Sequence, residues 1–390
     1  MKIVIAPDSF KENLTSMQVA ACIEKGIKKV LPKARCIKIP MADGGEGTVQ
    51  SLVDATGGKI LKKKVIGPMG KKVTARYGML GDGLTAVIEM AEASGLPLVP
   101  RNQRNPLKAS TYGTGELIID ALDKGATKII IGLGGSATVD GGAGMAQAIG
   151  VRFLAKNGKL IKSRASGGTL PDIHNIDVGK IDPRIKKTKF IIASDVNNPL
   201  CGKKGAANVF GPQKGATPAM VRTLDANLKH FASVIKAGLG KSVCDLKGAG
   251  AAGGLGAGLV AFTGARMKRG VDLVVELTEL NKHLKHADLV ITGEGRVDFQ
   301  TAFGKTPAGV AKAAKKFKVP CVAIGGSLSD DARGVFKHGI SGLASAAARD
   351  MDLAEAIRNS RNHLENAGER VIRLILIGKQ LAEKKHRARK

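Results

Sequence analysis

The sequence predicts an α/β protein built on an open, doubly wound parallel sheet, and three observations predict it. Short apolar runs at 3–6, 36–39, 289–292, 321–324 and about 340–344 alternate with polar or glycine-rich loops and helical patterns. That rhythm of strand, loop and helix builds parallel sheets. Aromatics are scarce, with ten Phe, two Tyr and no Trp in 390 residues, so the core must be Ala, Val, Ile and Leu, which suits helices packed on a parallel sheet. The 51 glycines are roughly twice the usual share of about 7%, and they cluster at loop positions without a period. Collagen-like and low-complexity readings are thereby excluded.

Each element follows from local pattern. Residues 2–6 (KIVIA) read as a buried strand. Thr15 and Gln18 form a capping box that opens a helix whose apolar face carries Val19, Ile23, Ile27 and Val30, and Pro32 stops it. The strand at 36–39 leads into PMADGGEGT (40–48) and a helix over about 46–55. Residues 58–90 alternate strands at 59–65, 73–77 and 85–90 with glycine turns, the habit of a mixed or antiparallel sheet, and further strands follow at 128–132 and 190–193. From 288 the opening rhythm resumes with a strand at 289–292, a helix at 307–316, a strand at 321–324 and one or two long helices over 353–376. Five parallel strands suffice for a flavodoxin-like sheet. The expected organisation is a flavodoxin-like parallel-sheet domain (1–57 plus 285–378) interrupted by a second, mixed α/β domain (58–284), with a basic disordered tail at 379–390. Two consecutive domains are the alternative division.

Composition narrows the function. The net charge of +29 favours anionic partners, whether nucleic acid, a membrane surface or small anions. The basic residues are spread along the whole chain without the aromatic interleaving that single-strand binders use for stacking, so a nucleic-acid role is disfavoured. Cys22, Cys36, Cys201, Cys244 and Cys321 are far apart and odd in number, which points to reduced thiols. No signal peptide or membrane span is recognised, and a cytoplasmic location is expected.

Four glycine-rich stretches carry the chemistry: 40–48, GLGGSATVDGGAGM (132–145), GAGAAGGLGAG (248–258) and TGEGRVDFQTAFGKT (292–306). Glycine lets backbone N–H groups converge on an anion, and carboxylates beside such loops can hold a cation or take a proton. Ligands of open α/β sheets bind beyond the carboxyl ends of the strands, where this chain collects its polar residues. They are Asp8, Ser9 and Lys11; Asp43, Gly44, Gly45 and Glu46; Gly134, Gly135, Ser136, Thr138 and Asp140; Asp195 and Asn198; and Glu294, Arg296 and Asp298 with Lys305 downstream. Phosphoryl transfer needs these classes: donors and cations around the phosphates, carboxylates for magnesium, and a carboxylate at the attacking hydroxyl. In this reading Asp43, Asp195, Lys11 and Arg296 are catalytic, with Asp43 and Asp195 as magnesium ligands or base, and the remainder bind substrate or nucleotide. Several of the aspartates could equally be helix caps or turn formers. A Walker A loop is excluded because Phe299 stands where its first glycine belongs, and GxGxxG fails at Ala137. Ser327 lacks the GxSxG setting of a hydrolase nucleophile, and His283 and His286 lack a third metal ligand.

Longer strings add a resemblance. APDSFKENL (6–14), PMADGGEGT, YGTGELI (112–118), NPLCGKKGAANVFGPQKGAT (198–217), GAGAAGGLGAGL and LVITGEGRVDFQT resemble the type I glycerate kinase family over about residues 2–378. The resemblance implies transfer of the ATP γ-phosphate to D-glycerate, usually at the 2-hydroxyl, with magnesium, on a flavodoxin-like domain interrupted by a second one. A glycerate 3-kinase, a kinase of another small hydroxy acid and a basic nucleic-acid-binding protein are the alternatives, and a homodimer is left open. Val139 departs from the family, which usually has Asn there; the change would weaken substrate binding or cost about 1 kcal/mol of helix capping.

Overall fold

The computed structural model describes residues 1–303 and 305–387. Among these, thirteen strands run along the chain as β1 to β13, and the chain divides into two compact units, Met1–Asp43, Gln50–Ala55 and Val271–Lys390 in the first and Gly44–Val49 and Thr56–Gly270 in the second.

The first unit holds β1 (Lys2–Ile5), β2 (Arg35–Lys38), β11 (Leu289–Val297), β12 (Cys321–Leu328) and β13 (Gly342–Ser345). All pairings are parallel, in the spatial order β2-β1-β11-β12-β13. Counted along this unit, that is the flavodoxin-like order 2-1-3-4-5. Ile3, Ile5, Ile27, Ile291, Ile324 and Leu364 are buried in its core, each worth about 1.5–3 kcal/mol relative to exposure. The capping box at Thr15 is present, and helix Ser16–Val30 packs against helix Ser360–Arg387. Two glycines bring their backbones together: a Cβ on Gly26 would lie 1.8 Å from the Glu365 carbonyl oxygen, and one on Gly368 would lie 2.6 Å from that of Ile23.

Two expectations change here. The GEGR segment is strand rather than loop, because β11 and β12 stay paired out to Arg296↔Ser327 and Val297↔Leu328. Its glycines permit the approach: a Cβ on Gly293 would lie 2.2 Å from the Ile324 oxygen, and one on Gly326 would lie 2.4 Å from the Gly295 oxygen. The basic end read as disordered is helical through Arg387, built from good helix formers with a Lys379–Glu383 pair one turn apart; residues 388–390 lie outside the described residues.

The second unit is a six-stranded mixed sheet in the order β10-β9-β6-β5-β4-β3. β3 (Lys59–Ile66), β4 (Lys72–Met79) and β5 (Thr85–Glu89) are antiparallel neighbours, whereas β5, β6 (Lys128–Gly132), β9 (Lys189–Ala193) and β10 (Arg266–Lys268) are parallel. β7 (Arg152–Leu154) and β8 (Asn175–Asp177) form a separate antiparallel pair. Phe153, Phe231 and Phe262 meet in the core with centroids 5.8–6.4 Å apart. The five cysteines are free thiols. No helix among the described residues is long and apolar enough to cross a membrane.

Candidate active site

In the first unit, β1 and β11 deliver carboxylates to the carboxyl end of the sheet. Asp8 follows β1, and its N–H donates to the Gly293 carbonyl at 2.8 Å. The Asp8 carboxylate is 8% exposed and accepts from the Ser9 N–H at 2.6 Å and the Thr306 hydroxyl at 2.5 Å. Burial, with Asp43 next in weight and Glu294 adding to it, pushes Asp8 up to about 7 against those hydrogen bonds. Glu294, on β11, is buried as well; it accepts from the Thr301 hydroxyl at 2.5 Å and has the Lys305 ammonium 3.8 Å away. Burial pushes it up, Thr301 and Lys305 oppose that, and Asp298 and Asp43 add to it. Lys305 also lies 3.6 Å from Asp298. Asp8, Asp43, Glu294 and Asp298 thus crowd one place, with the Lys305 ammonium beside two of them.

A cavity of about 770 Å³ opens on this cluster. Asp8, Ser9, Lys11, Asp43, Glu294, Arg296, Asp298 and Lys305 all line it, whereas Gly44, Gly45 and Glu46, expected in the same domain from the sequence, belong to the second unit and do not. Arg349 lines it too, ion-paired with Glu355, and apolar side chains of Phe10, Met351, Leu353 and Ile357 form part of its wall. Arg349 was not among the candidates; it sits between the last strand and a helix, in a segment without a glycine motif.

In the second unit the candidates sit around the carboxyl ends of the parallel strands. The 44–46 loop lies against the end of β6: a Cβ on Gly44 would lie 2.7 Å from the Gly270 Cα, and one on Gly132 would lie 2.8 Å from the Gly44 oxygen. With φ at +93°, Gly44 is tied to glycine twice over. Gly45 is half-buried and Glu46 exposed in the same loop. Gly134 and Gly135 form an exposed tip after β6, and Ser136, Thr138 and Asp140 descend into the interior. Asp195, after β9, is exposed with the Arg269 guanidinium 3.5 Å away. Asn198 holds the Lys204 carbonyl at 2.8 Å and accepts the Gly250 N–H through its own carbonyl at 3.0 Å.

One of these residues does other work. Asp140 is fully buried and takes hydrogen bonds from the N–H and hydroxyl of Thr111 (both 2.8 Å), Gly142 N–H (3.1 Å) and Gly144 N–H (3.3 Å). Burial pushes its carboxyl up, while those donors favour the anion. It organises two helix starts from inside, so it offers no oxygen to a ligand, contrary to the binding role read from its loop. Val139 is fully buried in the core, and neither binds nor caps. Sequence reading also missed Lys214, buried beneath the 134–138 loop, and Glu89, which ends β5 and accepts the Val49 N–H at 2.8 Å. Burial holds Glu89 up at about 6. A charged residue closing a strand was the available signal for Glu89.

No three His, Cys, Asp or Glu among the described residues are grouped as a metal cage. Magnesium bound with phosphates needs only one or two carboxylates, because it keeps waters and phosphate oxygens. Asp8 and Asp43, near enough that Asp43 raises the cost of charge on Asp8, fit that requirement in the first unit.

Comparison with known proteins accords with this geometry. The family model described as the glycerate kinase family matches residues 3–376. A glycerate kinase of Halalkalibacterium halodurans is 57% identical over 369 residues, covering 95% of this chain and 97% of that protein. The glycerate 2-kinase of Escherichia coli (strain K12) is 50% identical over 378 residues, 97% of this chain and 99% of that one. A crystal structure of a protein assigned as glycerate kinase 2 from Salmonella typhimurium LT2 superposes with a TM-score of 0.90 at 47% identity, over 97% of this chain and 99% of the other.

Proposed function

This chain belongs to the glycerate kinase family, and on that premise we propose that it transfers the γ-phosphoryl group of ATP to the 2-hydroxyl of D-glycerate, giving 2-phosphoglycerate. The observation that carries this reading is the cavity of the first unit, where Asp8, Asp43 and Glu294 share one space with Lys11, Arg296 and Lys305. Phosphoryl transfer is achieved mainly by positioning and charge neutralisation, which that mixture supplies. Lys11 and Arg296 hold the glycerate carboxylate, and Lys305 faces the developing phosphate charge. The proton leaving the hydroxyl passes to one of the crowded carboxylates.

Magnesium, when bound, neutralises phosphate oxygens and aligns the transferring group. Asp43 would hold it, with Asp8 beside it. Asp195, expected from the sequence to share this task with Asp43, stands in the second unit with the Arg269 guanidinium 3.5 Å away. In the second unit, the 44–46 and 134–136 loops are suited to phosphate oxygens through backbone N–H groups. On this reading the enzyme acts in the cytoplasm on small anions, without nucleic acid or membrane.

The test is acceptor preference, measured as ATP consumed with D-glycerate, tartronate, lactate or glycolate. D-Glycerate is expected to turn over fastest. Equal turnover with lactate or glycolate would reassign the chain to a different hydroxy acid.

A further inference from the structure

We propose that Lys214 is a positioning residue whose ammonium, held beneath the 134–138 loop by Ser136 and Thr138, fixes that loop in the shape that receives nucleotide phosphates. The proposal rests on reading that loop as a phosphate cradle.

Lys214 is 2% exposed, a rare place for lysine. Its Nζ donates to the Ser136 hydroxyl at 2.7 Å and to the Thr138 carbonyl at 2.7 Å. No carboxylate among the described residues lies within ion-pair distance of it, and Asp140, the charge that acts on it, is committed to Thr111, Gly142 and Gly144. Burying an ammonium without a salt bridge costs stability, and a methionine would fill the same volume without that cost. What the lysine amine provides and methionine cannot is two hydrogen bonds to the loop, with a positive charge behind it in the protonated form.

The rest of the loop's surroundings suit that role. Ala137 N–H donates to the Ser94 carbonyl at 2.9 Å, and the Gly135 carbonyl accepts the Leu96 N–H at 2.8 Å, so one flank is tied to the 94–96 segment. Lys214 ties the other flank, and the tip at Gly134 and Gly135 stays exposed. Lys214 is itself held in place: the Arg104 guanidinium donates to the Gln213 carbonyl at 3.3 Å, and a Cβ on Gly215 would lie 2.7 Å from the Arg104 oxygen. Burial lowers Lys214 to about 7, with Asp140 opposing.

Three variants of the full chain separate the possibilities by steady-state kinetics and thermal midpoint. Lys214→Met is expected to raise KM for ATP at least tenfold, leave KM for glycerate within twofold, and leave the midpoint unchanged or higher. Lys214→Gln, which keeps a donor without the charge, falls between parent and Lys214→Met, and it carries the test should Lys214→Met not fold. Gly134→Glu places a carboxylate at the exposed tip, where a Cβ meets only the Gly45 Cα at 3.6 Å, and it raises KM for ATP if the loop receives phosphates. A Lys214 variant with unchanged KM for ATP beside an impaired Gly134→Glu overturns the role of Lys214 alone. Unchanged KM for ATP in Gly134→Glu overturns the reading of the loop.

Discussion

Asp8 shows how a single side chain can oppose the fold in order to serve a site. It is buried beside Asp43 and Glu294, and its proton is held up to about pH 7. In the unfolded chain an aspartate releases that proton near pH 4. The folded protein therefore binds the extra proton between about pH 4 and 7, so the contribution of Asp8 to stability is fully present below that window and lost as pH rises through it. Asp8→Asn removes the penalty and still accepts from Thr306. Urea unfolding without magnesium is expected to find the variant close to the parent at pH 4 and more stable at pH 8, on the order of 4 kcal/mol. Equal stability at pH 8 would contradict the crowding. At this scale the sequence was half legible. Asp8, Asp43 and Glu294 stood out because each follows an apolar run at the carboxyl end of an expected strand. Asp140 had the same signature and proved structural, since nothing in a linear string tells which way a loop side chain turns. Lys214 was invisible for the opposite reason: with 62 Lys and Arg in the chain, one more lysine in a basic string carries no mark.

Elements were read best where a period and a cap agreed. The helix Ser16–Val30 has both, and it begins where Thr15 and Gln18 place it. β11 was read short because glycine in a string suggests a turn, whereas here it permits close strand approach. The same ambiguity applies to Gly26, which has helical neighbours and a helical conformation. In an isolated helix Gly→Ala would gain about 1 kcal/mol. Here the added methyl would strike the Glu365 backbone at 1.8 Å, and overpacking of that kind costs about 1–3 kcal/mol. The denaturation midpoint of Gly26→Ala is therefore expected to fall, and a rise would show that these helices do not pack as described. The ion pairs from Lys25 and Lys29 to Glu365, at 2.9 and 2.6 Å, join the same helices, but their exposed lysines make them minor contributors.

At the scale of the whole molecule, two sheets each expose the carboxyl ends of parallel strands, and each gathers glycines and charged side chains there. The parallel sheet was legible from five apolar runs, and the mixed sheet from the shorter strands between them. The charge of +29 was the least informative number in the chain, because it is spread along the sequence and names no ligand by itself. What gives the charge a purpose is its local form: Lys11, Arg296 and Lys305 around the carboxylates of one cavity. On the proposed function, this arrangement phosphorylates the middle hydroxyl of a three-carbon acid. Incubation with ATP, magnesium and D-glycerate, followed by enolase without a mutase, tests it most directly. Phosphoenolpyruvate is expected to form at once, since enolase dehydrates 2-phosphoglycerate. Formation that requires added phosphoglycerate mutase would place the phosphate on the 3-hydroxyl and contradict it.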